Sequence, residues 1–225
     1  MGRVAIFLWA ALGLAPSSAQ AAGGAHVIDD AAVETPGTCH IESWASGYRR
    51  DEGFANVGIG CTPTQAPDLE LGGYVAHDWS PQGDDTTIGV SPKLVLRSAD
   101  HGIGIGIGGS IGFGIDRGRF ESAALIMPFT IAVNDRLRLN ANAGWQWIRA
   151  DHAHELLLGA QAEFVVARDL GLMVESFARD EGRAGAQAGL RWTVAGGDMD
   201  IDLLAARYID GKTPTALTLG LTWRY

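Results

Sequence analysis

Side-chain polarity alternates residue by residue along much of this chain, most plainly at its end. Leu217, Leu219, Leu221, Trp223 and Tyr225 take every second position, with Thr218, Gly220, Thr222 and Arg224 between them. Successive side chains of a strand point to opposite faces, so this segment has one face of large apolar groups. A soluble protein would need a second layer to cover that face, whereas a lipid bilayer covers it directly. Segments of this kind, separated by turn residues, predict a transmembrane antiparallel β-barrel.

The pattern can be followed backwards. Leu137, Leu139, Ala141, Ala143, Trp145 and Trp147 alternate with Arg136, Arg138, Asn140, Asn142, Gly144 and Gln146. Similar alternation runs from Leu156 to Val166, from Leu170 to Glu175, from Ala186 to Thr193 and from Asp200 to Ala205. Turns are expected at Arg149-Ala150-Asp151-His152, Ala167-Arg168-Asp169, Asp180-Glu181-Gly182, Gly196-Gly197 and Asp210-Gly211-Lys212. The first half is less regular, and strands are placed at about 39–49, 54–62, 68–79, 86–97, 102–114 and 120–132. The total is about twelve, an even number with short connections, which returns the C-terminus to the side where the chain began. Each segment has roughly the 9–11 residues that a tilted strand needs to cross. With odd strands running outward, Trp79, Phe113, Trp145 and Trp147 fall at the outer interface, and Trp192, Trp223 and Tyr225 at the inner one. Two aromatic girdles suit the two headgroup levels; a soluble sandwich, the competing architecture, seldom places its aromatics at strand ends.

The ends of the chain fit export. Arg3, the apolar run Val4–Leu14 and the small-residue site Ala19-Gln20-Ala21 predict a secretory signal peptide over residues 1–21. Residues 22–38 then form a periplasmic or lumen segment long enough to reach inside, and 39–225 form the barrel. The formal net charge of −9 argues against a nucleic-acid partner. Cys39 and Cys61 are the only cysteines and sit at the open end of the first hairpin, where an oxidising periplasm permits a disulfide.

Candidate chemistry lies on the faces turned inward. Asp68, Glu70, Lys93, Arg97, Arg136, Arg138, Gln161, Glu163, Glu175, Arg191, Asp200, Asp202 and Arg224 would line the lumen. They either pair across it structurally or form opposed acidic and basic rows that sort solutes. The run Gly102–Gly109 contains the dinucleotide-fingerprint spacing, but that motif needs a following helix, and Ile111-Gly112-Phe113 continue a strand instead. Its glycines would face inward and let another side chain approach the wall. Pro92 and Pro128 are expected at bulges in the flanking strands, or at a weakened wall that releases apolar solutes sideways. His77, Asp78 and Ser80, and His152 and His154 around Asp151, are neighbours that point in opposite directions along a strand, so neither set aligns a nucleophile, base and orienter. No metal or other cofactor site is expected.

Short motifs resemble the outer-membrane family grouped under "MetA-pathway of phenol degradation". They are Ala25-His26-Val27-Ile28-Asp29-Asp30-Ala31, Glu34-Thr35-Pro36-Gly37-Thr38-Cys39, Ile41-Glu42-Ser43-Trp44, Cys61, Leu69–Gly73 and the closing Thr218–Tyr225. Ile28 stands where that family usually has Thr, and Tyr225 where Phe is commoner. The resemblance implies a barrel in the bacterial outer membrane that passes small hydrophobic or aromatic solutes. Its partners would be outer-membrane lipid and the barrel-assembly machinery, which reads the C-terminal strand. A passive channel is the leading expectation. A non-conducting structural barrel and an outer-membrane hydrolase are the alternatives.

Overall fold

The computed structural model describes residues 25–49, 51–149, 153–180, 184–209 and 215–225. The expected signal peptide, the turns at Ala150–His152, Glu181–Gly182 and Asp210–Lys212, and His152 itself lie outside them. Thirteen strand segments form one sheet: β1 Cys39–Arg49, β2 Glu52–Cys61, β3 Leu69–Ser80, β4 Gly83–Val90, β5 Lys93–Arg97, β6 Ile103–Gly114 and β7 Arg119–Asn134. β8 Leu137–Ile148, β9 Ala153–Ala167, β10 Leu170–Arg179, β11 Gly185–Val194, β12 Met199–Tyr208 and β13 Ala216–Arg224 complete it. Neighbours in sequence pair antiparallel, β1 pairs β13, and β2 pairs β3, so the sheet closes on itself. β4 and β5 are two halves of one stave. Each pairs with both β3 and β6, and Val90↔Ile111 before the interruption keeps register with Lys93↔Gly108 after it. The result is a closed barrel of twelve staves.

Closure follows from the solvent. In hydrocarbon an unpaired N–H or C=O costs several kcal/mol, and a closed sheet leaves no edge. The two faces then sort by polarity. On β13, Leu217, Leu219 and Trp223 are 64%, 59% and 48% exposed on the outer face, whereas the intervening Thr218 is 6% exposed. Outer belts form as the alternation predicts. Phe113 meets Phe120 edge-on, Trp145 stacks on His154, and Arg149 sits 5.0 Å over the Trp147 ring at one end. Trp223 and Tyr225 lie 5.5 Å apart at the other, the level of Trp192. Trp79 covers Gly53 from outside; a Cβ there would lie 2.1 Å from its ring.

The prolines differ from expectation. Register shifts occur near strand ends, at Gly47/Arg49, Val95/Arg97, Gly112/Phe113, Ala132/Asn134 and Leu170/Gly171. Neither proline makes a bulge. Pro92 sits in the two-residue interruption between β4 and β5, and Pro128 stays in register opposite Asn142. Having no N–H to donate, Pro128 instead leaves Gly106 and Ile107 without ladder partners on β7, although the register resumes unchanged at Gly108↔Ile126.

The Cys39–Cys61 disulfide forms across the open end of the first hairpin, where the two residues are register partners. A charge on the lipid side should cost about 2–4 kcal/mol near mid-bilayer. Leu219→Arg is expected to lower the urea midpoint of the vesicle-inserted barrel accordingly. An unchanged midpoint would contradict lipid contact at that position.

Candidate functional site: a lumen strapped by the N-terminal segment

Residues 25–34 do not hang outside the barrel. They run around its interior, with Ile28, Asp30, Ala31 and Glu34 all buried, and Thr35–Gly37 emerge exposed at the rim. The path is set by polar groups on the wall. The amides of Val27 and Ile28 donate to Glu175 Oε2 at 3.0 and 3.2 Å on β10. The Asp29 amide donates to Asn142 Oδ1 at 2.8 Å on β8, and Asn142 Nδ2 returns a bond to the Asp29 carbonyl at 2.7 Å. The Ala31 amide donates to Thr130 Oγ1 at 2.8 Å on β7. Glu34 then accepts from Arg224 Nε at 2.7 Å, and its amide donates to Glu70 Oε2 at 3.2 Å. The segment rejoins the wall where Gly37, at φ +92°, turns the chain and donates to the Thr62 carbonyl. The strap satisfies the amides of Asp30 and Ala32 through its own Asp29 and Asp30 side chains, and wall side chains take those of Val27, Ile28, Asp29, Ala31 and Glu34.

Charge pairing follows the same path. Lys93 Nζ contacts Asp29 at 2.8 Å and Asp30 at 3.3 Å, and Arg138 approaches Asp30 at 3.4 Å. Arg191 makes a two-pronged pair with Asp202, both contacts at 2.8 Å, and Arg224 Nη2 meets Asp200 at 2.9 Å. Gln161 and Gln187 donate to Glu175 at 2.8 and 3.0 Å, and Arg138 lies 3.7 Å from Glu163. Buried charges persist only when paired and hydrogen-bonded, and the strap supplies several of the partners.

Ten of the residues singled out as inward therefore sit in this network: Glu70, Lys93, Arg138, Gln161, Glu163, Glu175, Arg191, Asp200, Asp202 and Arg224. Three do not. Arg97 lies at the inner rim, bonded to the His101 carbonyl across the Ala99–His101 turn. Arg136 is exposed in the β7–β8 turn, and Asp68 is exposed ahead of β3. Each stands at or beyond a strand end, where alternation no longer dictates a face. Three strap residues that were not singled out, His26, Asp29 and Asp30, turn out to be central. Alternation could not reveal them, because the strap is not a strand. His40, Glu42 and Trp44 were legible by extending the β1 alternation from Ser46.

The strap leaves a cavity of about 410 Å3 against the wall from β1 to β7. Small residues open it. Gly58, Gly60, Gly72 and Gly108 lie in that wall, and a Cβ on Gly60 would collide with the His40 ring. Tyr74 lies flat over Gly89, and its hydroxyl reaches towards Gly112 and Ser122. The inward glycines of β6 thus admit neighbouring side chains to the wall.

The candidate catalytic groups remain separate. His77 and Asp78 face opposite sides, His77 Nδ1 lies 3.1 Å from Thr86 Oγ1, and Ser80 Oγ bonds the Gly83 carbonyl. Among the described residues, no group of three or more His, Cys, Asp or Glu is arranged to hold a metal.

His26 anchors the first described turn of the strap, its Nδ1 against Glu175 and its Nε2 3.7 Å from Asp202. Burial would push its pKa down, but the nearby Asp202 carboxylate and the bonded Glu175 prevail, against Arg191, and lift it to about 9. Asp29 is pushed up to about 7 by burial, with Lys93 opposing and Asp30 adding to the rise. Both signs agree. The His26 contribution is full below its ordinary 6.5 and is lost as pH rises through about 9. Asp29 likewise disfavours insertion progressively between 3.8 and about 7. Amide exchange at residues 25–34, corrected for intrinsic rates, is expected to show less protection at pH 9 than at pH 6. His26→Gln should remove most of that difference, and equal protection at both pH values in the parent protein would refute the latch.

Comparison with known proteins agrees with this architecture. The family model described as "Uncharacterised conserved protein UCP029691" matches residues 10–225. The phenol-degradation grouping suggested by the short motifs is not the one matched. No curated protein matches the sequence. Among solved structures, the KdgM porin superposes with a TM-score of 0.66 at 12% identity, covering 82% of this chain and 98% of that one. The NanC porin gives 0.60 at 5% identity, with coverage of 82% and 98%. Omp33 of Acinetobacter baumannii, an outer membrane protein, gives 0.50 at 9%, with coverage of 84% and 98%. KdgM is also known in complex with disordered oligogalacturonate. At these identities the likeness is one of fold.

Proposed function

The chain belongs to the uncharacterised conserved family UCP029691, and we propose that it is a passive outer-membrane channel for small solutes, narrowed by its own N-terminal strap. The observation that carries this reading is the cavity left between the strap and the glycine-rich wall. A barrel whose only task was structural would be expected to fill that space with side chains. The porins that share the fold, one of them captured with a solute, support the same reading. The strap's bonds come from wall side chains, so it sets the bore without a separate folded plug. On this reading residues 1–21 are removed on export, and the β13 strand ending Trp223-Arg224-Tyr225 is presented to the barrel-assembly machinery.

Hydrophobic or aromatic compounds are the finer reading of the cargo. It draws on the N-terminal motifs and on the inward rings of Trp44, Phe54 and Tyr74. A sideways exit beside Pro128 is less favoured. A Cβ on Gly106 would lie 3.1 Å from the Pro128 ring and 3.5 Å from Ala31 Cα, so the strap covers that ladder gap from inside. Pro128→Val is accordingly expected to leave the passage of apolar and polar solutes equally unaffected; a selective loss of apolar passage would restore the lateral route.

The full mature protein, refolded into a planar bilayer, should show discrete openings. Removing residues 22–33 should raise the unitary conductance several-fold, because the strap occupies the lumen. A folded barrel that stays silent both with and without those residues would overturn the channel reading.

A further inference from the structure

We propose that the cavity between the strap and β1–β3 is a binding subsite for the ammonium end of a small organic cation, with Glu42, Glu70 and Asn56 as the recognising groups. This deepens the channel reading by naming a solute class, and it rests on that reading only for passage, not for binding.

Six acidic or basic residues line the cavity: His26, Asp29, His40, Glu42, Glu70 and Lys93. His26 is engaged by Glu175 and Asp202, and Lys93 is turned to Asp29 and Asp30. Glu42 faces His40 at 3.5 Å, and Glu70 has His40 at 3.9 Å and the neutral Glu34 amide at 3.2 Å. No Lys or Arg of the described residues lies within ion-pair distance of either carboxylate. A protonated His40 would still leave one negative charge in excess, so the local field favours a cation.

Two orphaned polar atoms provide an independent sign of a ligand. Asn56 is 6% exposed and lines the cavity, yet its Oδ1 has no hydrogen-bond partner. His40 is 7% exposed, lines the same space and leaves Nδ1 without a hydrogen bond. An unpaired buried acceptor costs about 1–3 kcal/mol, and an N–H donor entering the cavity would remove that cost. The barrel register sets Glu42 level with Gly58 and Tyr74, and Trp44 level with Asn56 in the adjoining row, while Glu70 reaches in from beyond Gly72 to the face of Gly60. An ammonium group there meets carboxylate, amide oxygen and the indole face together, and a cation over an aromatic ring is attracted by its quadrupole. At about 410 Å3 the space falls within the roughly 300–1,000 Å3 typical of small-molecule sites, which leaves room for an apolar body beside the charged end.

The test is calorimetric titration of the refolded full mature protein in detergent with 2-phenylethylammonium, 2-phenylethanol and phenylacetate. The ammonium ion should bind saturably and at least about tenfold more tightly than the other two. The doubly substituted Glu42→Gln/Glu70→Gln protein should lose about tenfold in affinity for it, and Asn56→Leu several-fold. Heat-modifiable gel migration establishes that each variant is folded, and Glu42→Gln alone serves if the double variant is not. Absence of saturable ammonium binding, equal binding of all three probes, or binding undiminished in the folded glutamine variant would overturn the proposal. Single-channel recording separates the two readings. A silent barrel that binds the cation loses the channel but keeps the subsite, whereas a conducting barrel indifferent to the cation loses the subsite alone.

Discussion

Every backbone amide that crosses the bilayer must find its partner inside the sheet, and the rest of the molecule follows from that demand. It forces closure between β2 and β3 and between β1 and β13. It also explains why Pro92 and Pro128 are accommodated as gaps without a change of register. A bulge would redirect the faces of a whole strand, whereas a local interruption costs only a few bonds. Both gaps adjoin β6, where the inward positions are glycine and neighbouring groups can approach the wall.

Closure creates a second problem. Alternation that serves lipid outside places polar and charged residues inside, in a space that excludes much of the solvent. The wall answers part of this with its own pairs, such as Arg191 with Asp202 and Arg224 with Asp200. The strap answers another part, because Asp29, Asp30 and Glu34 meet Lys93, Arg138 and Arg224. The same contacts that satisfy the interior set the bore of the lumen. On the proposed channel reading, structure and function are coupled through one charge network, and what loosens the strap also widens the path.

The network is asymmetric. Most backbone bonds from the strap fall on β7–β10, with Lys93, Glu70 and Arg224 holding it elsewhere, while the side from β1 to β6 is lined largely by glycines, Tyr74 and the carboxylate of Glu42. The proposed narrowed passage and the proposed preference for solutes that bring positive charge and hydrogen-bond donors both draw on that asymmetry.

By itself the sequence determined the architecture, because strand alternation is a local property and lipid reads it directly. The twelve staves, the outer aromatic belts around Trp145 and Trp223, the pairing of Cys39 with Cys61 and the inward face of Glu175 and Asp202 could all be read from spacing of two. Alternation failed where it ceases to operate. Arg97, Arg136 and Asp68 stand at strand ends, and the bulges expected at the prolines proved to be gaps. The tertiary structure alone decided the path of residues 25–38. An irregular segment has no period to read, and its position depends on Asn142, Thr130, Glu175 and Arg224, which are far apart in sequence. Only closing the barrel brings those groups around one space, and only then do His26 and Asp29 acquire their partners.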